Sequence, residues 1–162
     1  MEPTTTLEAK IALVREVMGD LIGNRLVKYE TAELQLIDGT WVAWPDMPIR
    51  LYADSEAVVS VSWSRFDDLW IERGQGLPFA TDDATLRWVT NGITPIQPTI
   101  GNRMKSVMIG RGEMTWDGRE VEIWTRLLVE FDGGWLEVFN ALDENEYAFH
   151  TRMPSGTFLS CV

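Results

Sequence analysis

The chain has 162 residues, 45% of them hydrophobic and eight of them tryptophan, with a formal net charge of −11. Such a length and composition predict one domain with a real core and exclude a disordered chain. The charge argues against nucleic-acid phosphates and anionic membranes as partners and favours a cationic one.

The only cysteine, Cys161, excludes an intramolecular disulfide and a cysteine-built zinc site within one chain. Met1-Glu2-Pro3-Thr4 is not the charged start of a signal peptide, and no apolar run approaches the roughly 20 residues that span a bilayer. The expectation is a cytoplasmic protein with no membrane segment.

In chain order, Thr5-Thr6-Leu7-Glu8 reads as a helix start, with Thr5 as cap and Glu8 as its return partner. Leu7, Ile11, Val14 and Met18 then recur at helical spacing, and Gly19 is placed to end the helix. The spacing predicts an amphipathic helix over 5–18 that covers one face of a sheet. Ile22-Gly23-Asn24-Arg25 recurs as Ile100-Gly101-Asn102-Arg103. Each copy precedes strands, an Asp-Gly turn (Asp38-Gly39, Asp132-Gly133) and a Trp two positions beyond the Gly (Trp41, Trp135). The pattern predicts a single domain over 1–162 with an internal repeat, 21–64 and 100–153, the second copy holding an extra hairpin around Trp116-Asp117-Gly118.

In the first half, 26–30, 33–37 and 40–44 read as a meander, which Pro45 and Pro48 interrupt. Strands at 49–53 and 58–63 follow, joined by Asp54-Ser55-Glu56. Ser60, Ser62 and Ser64 give the latter a polar face. The stretch 65–99 is the least regular. Within it, Thr81-Asp82-Asp83 reads as the cap of a short helix carrying Ala84, Leu86, Trp88 and Val89, ended by Asn91-Gly92.

The second half is dominated by a long hairpin, 119–142. Val121, Ile123, Thr125, Leu127, Val129 and Phe131 alternate with Glu120, Glu122, Trp124, Arg126, Leu128 and Glu130, the period of a half-buried strand. With Gly133 and Gly134 as the loop, Phe131 faces Leu136, Val129 faces Val138 and Glu130 faces Glu137. A strand over 104–114 precedes this hairpin; 147–153 and 157–162 close the sheet. The fold class is therefore α+β: an N-terminal helix packed on antiparallel β-sheet, in two loosely repeated β-meander halves.

Most chemistries find no support. His150, the only histidine, has no local nucleophile, and Gly-x-Ser-x-Gly is absent. Gly110-Arg111-Gly112 and Gly74-Gln75-Gly76 lack nucleotide-loop spacing, and Asp143-Glu144-Asn145-Glu146 lacks the pattern of a calcium loop. No catalytic residue, metal or cofactor is assigned. Carboxylate pairs suited to sugar hydrolysis depend on tertiary spacing. Trp63, Trp70, Trp116 and Trp124 are either core or, in the alternative reading, the lining of a small-molecule or carbohydrate pocket, with hydrolysis open.

Charge is the remaining signal. From Glu113 to Glu146, ten acidic residues stand against Arg119 and Arg126. Glu120, Glu122, Trp124, Glu130, Glu137, Asp143, Glu144 and Glu146 form the predicted binding surface for a basic protein, charge speeding encounter and an aromatic anchor holding it. A small, acidic, Trp-rich chain with Asp-Gly hairpins resembles the bacterial immunity proteins of polymorphic toxin and contact-dependent inhibition systems. The resemblance implies a non-enzymatic intracellular protein that occludes a toxin. Such proteins use many folds, so it assigns no residues.

Overall fold

The computed structural model describes residues 4–162; the segment 1–3, read above against a signal peptide, lies outside them. Helix α1, Leu7–Met18, is capped by Thr6, whose hydroxyl accepts from Ala9 N–H at 3.3 Å. The cap thus falls one residue beyond Thr5. Glu8 sits in the first turn, where it favours the helix dipole. Val14, Val17 and Met18 are buried, and so is Lys10, which the periodicity did not place in the core.

Thirteen strands follow. The first sheet contains β1 (Leu26–Gln35), β2 (Trp41–Ala43), β3 (Ile49–Ala53), β4 (Val58–Trp63), β5 (Leu69–Arg73) and β6 (Leu86–Thr90). The second contains β7 (Met104–Gly112), β10 (Ile123–Phe131), β11 (Gly134–Asn140), β12 (Asn145–His150) and β13 (Phe158–Ser160). Strands β8 (Thr115–Trp116) and β9 (Arg119–Glu120) make a separate ribbon. Glu30 pairs with Arg50 of β3 and with Thr90 of β6, so these strands flank β1 on opposite sides. The first sheet runs β6-β1-β3-β4-β5 and the second β13-β7-β10-β11-β12, all antiparallel. Strand for strand these are one path, with β2 as the excursion of the first sheet and β8–β9 that of the second.

The two Ile-Gly-Asn-Arg segments pair with each other at the centre. Gly23 N–H donates to Met104 O and Gly101 N–H to Leu26 O; Met104 N–H donates to Asn24 O and Leu26 N–H to Asn102 O. Asn24 and Asn102 each donate a side-chain N–H to the carbonyl four residues back, Asp20 and Pro98. This is a pseudo-twofold clasp. It requires φ of 87° at Gly23 and 82° at Gly101, the left-handed region that a Cβ disfavours. No atom lies within 4 Å of a Cβ added at either site, so the cost of alanine there is purely backbone. Gly23→Ala and Gly101→Ala should each lose about 1 kcal/mol in urea denaturation; a much larger loss at one site would contradict equivalence of the two arms.

Further sequence expectations are corrected: the segments 26–30 and 33–37, read as two strands, form the single strand β1. Residues 86–90 form β6, not a helix, because the free side of β1 offers a ladder that local helix signals cannot match. Buried Leu69, Trp70 and Ile71 make β5 within the stretch read as irregular. In the long hairpin the turn is Asp132-Gly133, so Phe131 faces Gly134, Val129 faces Leu136 and Glu130 faces Trp135. No Glu130–Glu137 apposition arises. Gly134 enters the strand at φ 153°, where a Cβ would meet His150 O at 2.5 Å. Finally, a bulge between Trp124 and Arg126 shifts the alternation. Trp124 therefore joins the core beside Leu127 and Val129, not the glutamate face.

Helix and both sheets share one hydrophobic core. Each outer face is crossed by a strap joining the two edge strands. Residues 74–85 cross the first, where Arg50 Nη2 donates to Gln75 O at 2.6 Å and the guanidinium lies 3.5 Å from the Trp88 ring centre. Ser60 is buried there and donates to Gly74 O at 2.7 Å. Residues 151–157 cross the second, where Arg126 Nη1 donates to Ser155 O at 3.1 Å. No helix among the described residues is long and apolar enough to cross a membrane.

Candidate functional site

At one end of the second sheet a cleft of about 410 Å³ opens between Phe66, Ile123, Phe139 and Leu142, with Arg126 and Glu113 at its edge. Its walls come from both halves of the chain. Asn140 stitches them: its amide donates to Ser64 O at 2.7 Å and to Phe66 O, and its carbonyl oxygen accepts from Asp143 N–H at 2.8 Å. Asp143 Oδ1 in turn accepts from Phe66 N–H at 2.8 Å.

These bonds hold three non-glycine residues in the left-handed region, Phe66 at φ 55°, Leu142 at φ 56° and Asp143 at φ 69°. For bulky side chains such backbone is costly and persists only where the surroundings impose it. The result is two large apolar side chains left in solvent, Leu142 at 98% and Phe66 at 61% exposure. The wall at Gly112–Met114 leads into the β8–β9 ribbon, which carries Trp116 at 66% exposure.

The cleft continues into a groove of about 640 Å³ beneath the 151–157 strap, sharing Gly112, Glu113 and Arg126. Glu137 is buried on this face. It accepts Arg126 Nε at 2.5 Å and Nη2 at 3.2 Å, and pairs with His150 Nε2 at 2.8 Å. Arg126 also lies 4.6 Å from the Phe158 ring centre. A carboxylate orienting a histidine is two-thirds of a nucleophile-activating triad. The third member is missing: no hydroxyl or thiol bonds His150 among the described residues. Cys161 is buried, and that burial pushes its thiol up to about 11, the opposite of an activated nucleophile. The cluster anchors the strap.

The eight predicted surface residues divide. Glu120, Glu122, Asp143, Glu144 and Glu146 are exposed. Of these, Asp143 lines the cleft and Glu120 the groove, where it pairs with Arg111 at 3.1 Å. Glu122 accepts the indole N–H of Trp124 at 3.0 Å. Glu130 is half-buried against Ser106 and Lys105, while Trp124 and Glu137 are buried. Of the alternative pocket, Trp63 and Trp70 are buried beside a depression of about 150 Å³, and Trp116 lies apart on its ribbon. No group of His, Cys, Asp and Glu suited to a metal ion occurs among the described residues.

Sequence reasoning missed Phe66, Asn140 and Leu142. Phe66 had a local signal, a large apolar residue between Arg65 and Asp67; Leu142 is followed by Asp143-Glu144 but preceded by Ala141, and Asn140 carries no such signal. Comparison with protein-family models, curated proteins and solved structures gave no match, so any functional reading rests on this geometry.

Proposed function

We propose that the protein is a non-catalytic acidic binding module, acting in the cytoplasm, that docks a cationic protein over the Phe66–Leu142 cleft. The observation that carries this reading is the pair of solvent-exposed apolar side chains held on left-handed backbone. Around them lie Glu113, Asp143, Glu144 and Glu146, with Glu120 and Glu122 beyond. Arg126 at the cleft edge is paired with Glu137, and an apolar centre whose rim carries an excess of acidic groups is the layout of a hot spot with a steering rim. Occlusion of a basic toxin domain, as in the immunity proteins the sequence resembles, is the form of binding it favours.

Immobilised wild-type chain is compared with a variant carrying Glu120→Lys, Glu122→Lys, Glu144→Lys and Glu146→Lys, and with Leu142→Ser. A basic protein that elutes from the wild type only at high salt should be lost on the charge variant, roughly 100-fold weaker, mainly through a slower on-rate. Leu142→Ser should weaken it about tenfold through faster dissociation. Identical retention by all three sinks the proposal.

A further inference from the structure

A second pocket lies where β1, β2 and β6 meet β12. Ala32, Ala43, Trp44, Val89, Ile93 and Tyr147 enclose a pocket of about 240 Å³ there. The lining is mostly apolar. Trp44 is fixed by its backbone N–H to Ala32 O at 2.9 Å and by an edge contact with Phe79, ring centres 5.9 Å apart.

Glu33 supplies the one charge in the lining, and it is already neutralised. Arg87 holds the carboxylate through Nη2 at 3.0 Å and Nε at 3.2 Å, and stacks on Trp41 at 4.4 Å. An anion would meet that carboxylate, and a cation would find it occupied.

Tyr147 differs from the other tyrosines. Tyr29 OH donates to Ile93 O at 2.7 Å, and Tyr52 OH accepts from Gln75 at 2.8 Å. The Tyr147 hydroxyl bonds to nothing among the described residues, and desolvation pushes its pKa up. Tyr147 is partly buried against the core and lines the pocket, so a hydroxyl without a protein partner there is free to pair with a ligand atom.

We infer that this pocket binds a small uncharged aromatic compound whose single oxygen or nitrogen pairs with the Tyr147 hydroxyl. The volume suits one substituted ring, given that a dry cavity of about 150 Å³ accepts benzene. This site is separate from the Phe66–Leu142 cleft, and either assignment can fail without the other.

The probes are 4-methylphenol, which carries the polar atom, and toluene, which lacks it. Each is titrated into the full chain while backbone amide shifts are followed by NMR. Saturable shifts should centre on Ala43, Val89, Ile93 and Tyr147, with 4-methylphenol binding about fivefold tighter, the size of one net hydrogen bond. Tyr147→Phe should erase that preference and keep toluene binding; Ala43→Phe should weaken both probes. No shifts up to the solubility limit, shifts centred elsewhere, or a preference that survives Tyr147→Phe would each overturn the assignment.

Discussion

Asp67→Ala should lower the unfolding free energy by about 3 kcal/mol, whereas Lys10→Met should stay within about 1 kcal/mol of wild type. The asymmetry follows from where the charge is. Lys10 is fully buried in helix α1. Its ammonium donates to Trp124 O at 2.9 Å, lies 3.1 Å from Asp67 Oδ2 and sits 5.6 Å from the Trp63 ring centre. Burial lowers its pKa below the usual 10.5, and the hydrogen bond and charge of Asp67, with the charge of Asp68, only partly restore it.

Removing Asp67 leaves the cation without its compensating anion in the core. Removing the cation leaves one carbonyl unpaired and an aspartate that still reaches water, being 21% exposed. In the Lys10→Met background, Asp67→Ala should therefore cost almost nothing, a non-additivity of about 2–3 kcal/mol. The pH sign follows from linkage. Because the folded pKa lies below the unfolded one, the unfolded chain binds more protons between the two values, and stability rises with pH across that window. Below the folded pKa the lysine is charged in both states and its effect is constant. The rise should be steeper in Asp67→Ala, where the folded pKa falls further. Urea denaturation at pH 7 and pH 10 reads both effects; equal losses for the two single variants, or strict additivity, would refute the account.

What could be read from sequence is what one segment decides alone. The helix follows from its 3.6-residue period, and β10 and β11 from alternation about a glycine turn, although the loop residues and hence the register were read one position late. The errors arise where a distant strand arbitrates. Leu86 to Thr90 carries helix signals yet completes the first sheet, because β1 has a free edge there. The bulge that turns Trp124 inward depends on the pairing of β10 with β7 and leaves no mark on the local pattern. The site suffered more. Glu137 and Trp124 sit in an acidic run as if solvent-exposed, but the strap that buries Glu137 is held by Arg126, which no spacing rule links to residue 155. Phe66 and Leu142 meet only because Asn140 joins loops from opposite halves.

Asn145 carries the second large effect, and nothing in the run Asp143-Glu144-Asn145-Glu146 sets it apart from its acidic neighbours. Its neighbours Glu144 and Glu146 are exposed, but Asn145 is 3% exposed. From the start of β12 its side chain reaches into the first sheet. The carbonyl oxygen accepts Trp63 N–H at 2.6 Å, and the amide nitrogen lies 3.0 Å from Pro45 O, Met47 O and Ser62 Oγ. One side chain thus satisfies several buried groups where Pro45 and Pro48 separate β2 from β3, both of which pair with β1. Asn145→Ala should cost about 3 kcal/mol, since it strands a buried N–H and buried acceptors together. Asn145→Asp should be worse at pH 7 despite its matching shape. It still accepts from Trp63, but it aims a carboxylate at two carbonyl oxygens and cannot donate to them. Protonation repairs this. Burial raises the folded pKa of the new acid above its unfolded value near 3.9, so the folded state binds more protons between the two. Stability of Asn145→Asp should recover as pH falls towards 4, while Asn145→Ala shows no such recovery. Urea midpoints at pH 7 and pH 4.5, each referred to wild type at the same pH, make the test. A constant deficit for Asn145→Asp would mean that the geometry of the bridge matters and its charge does not.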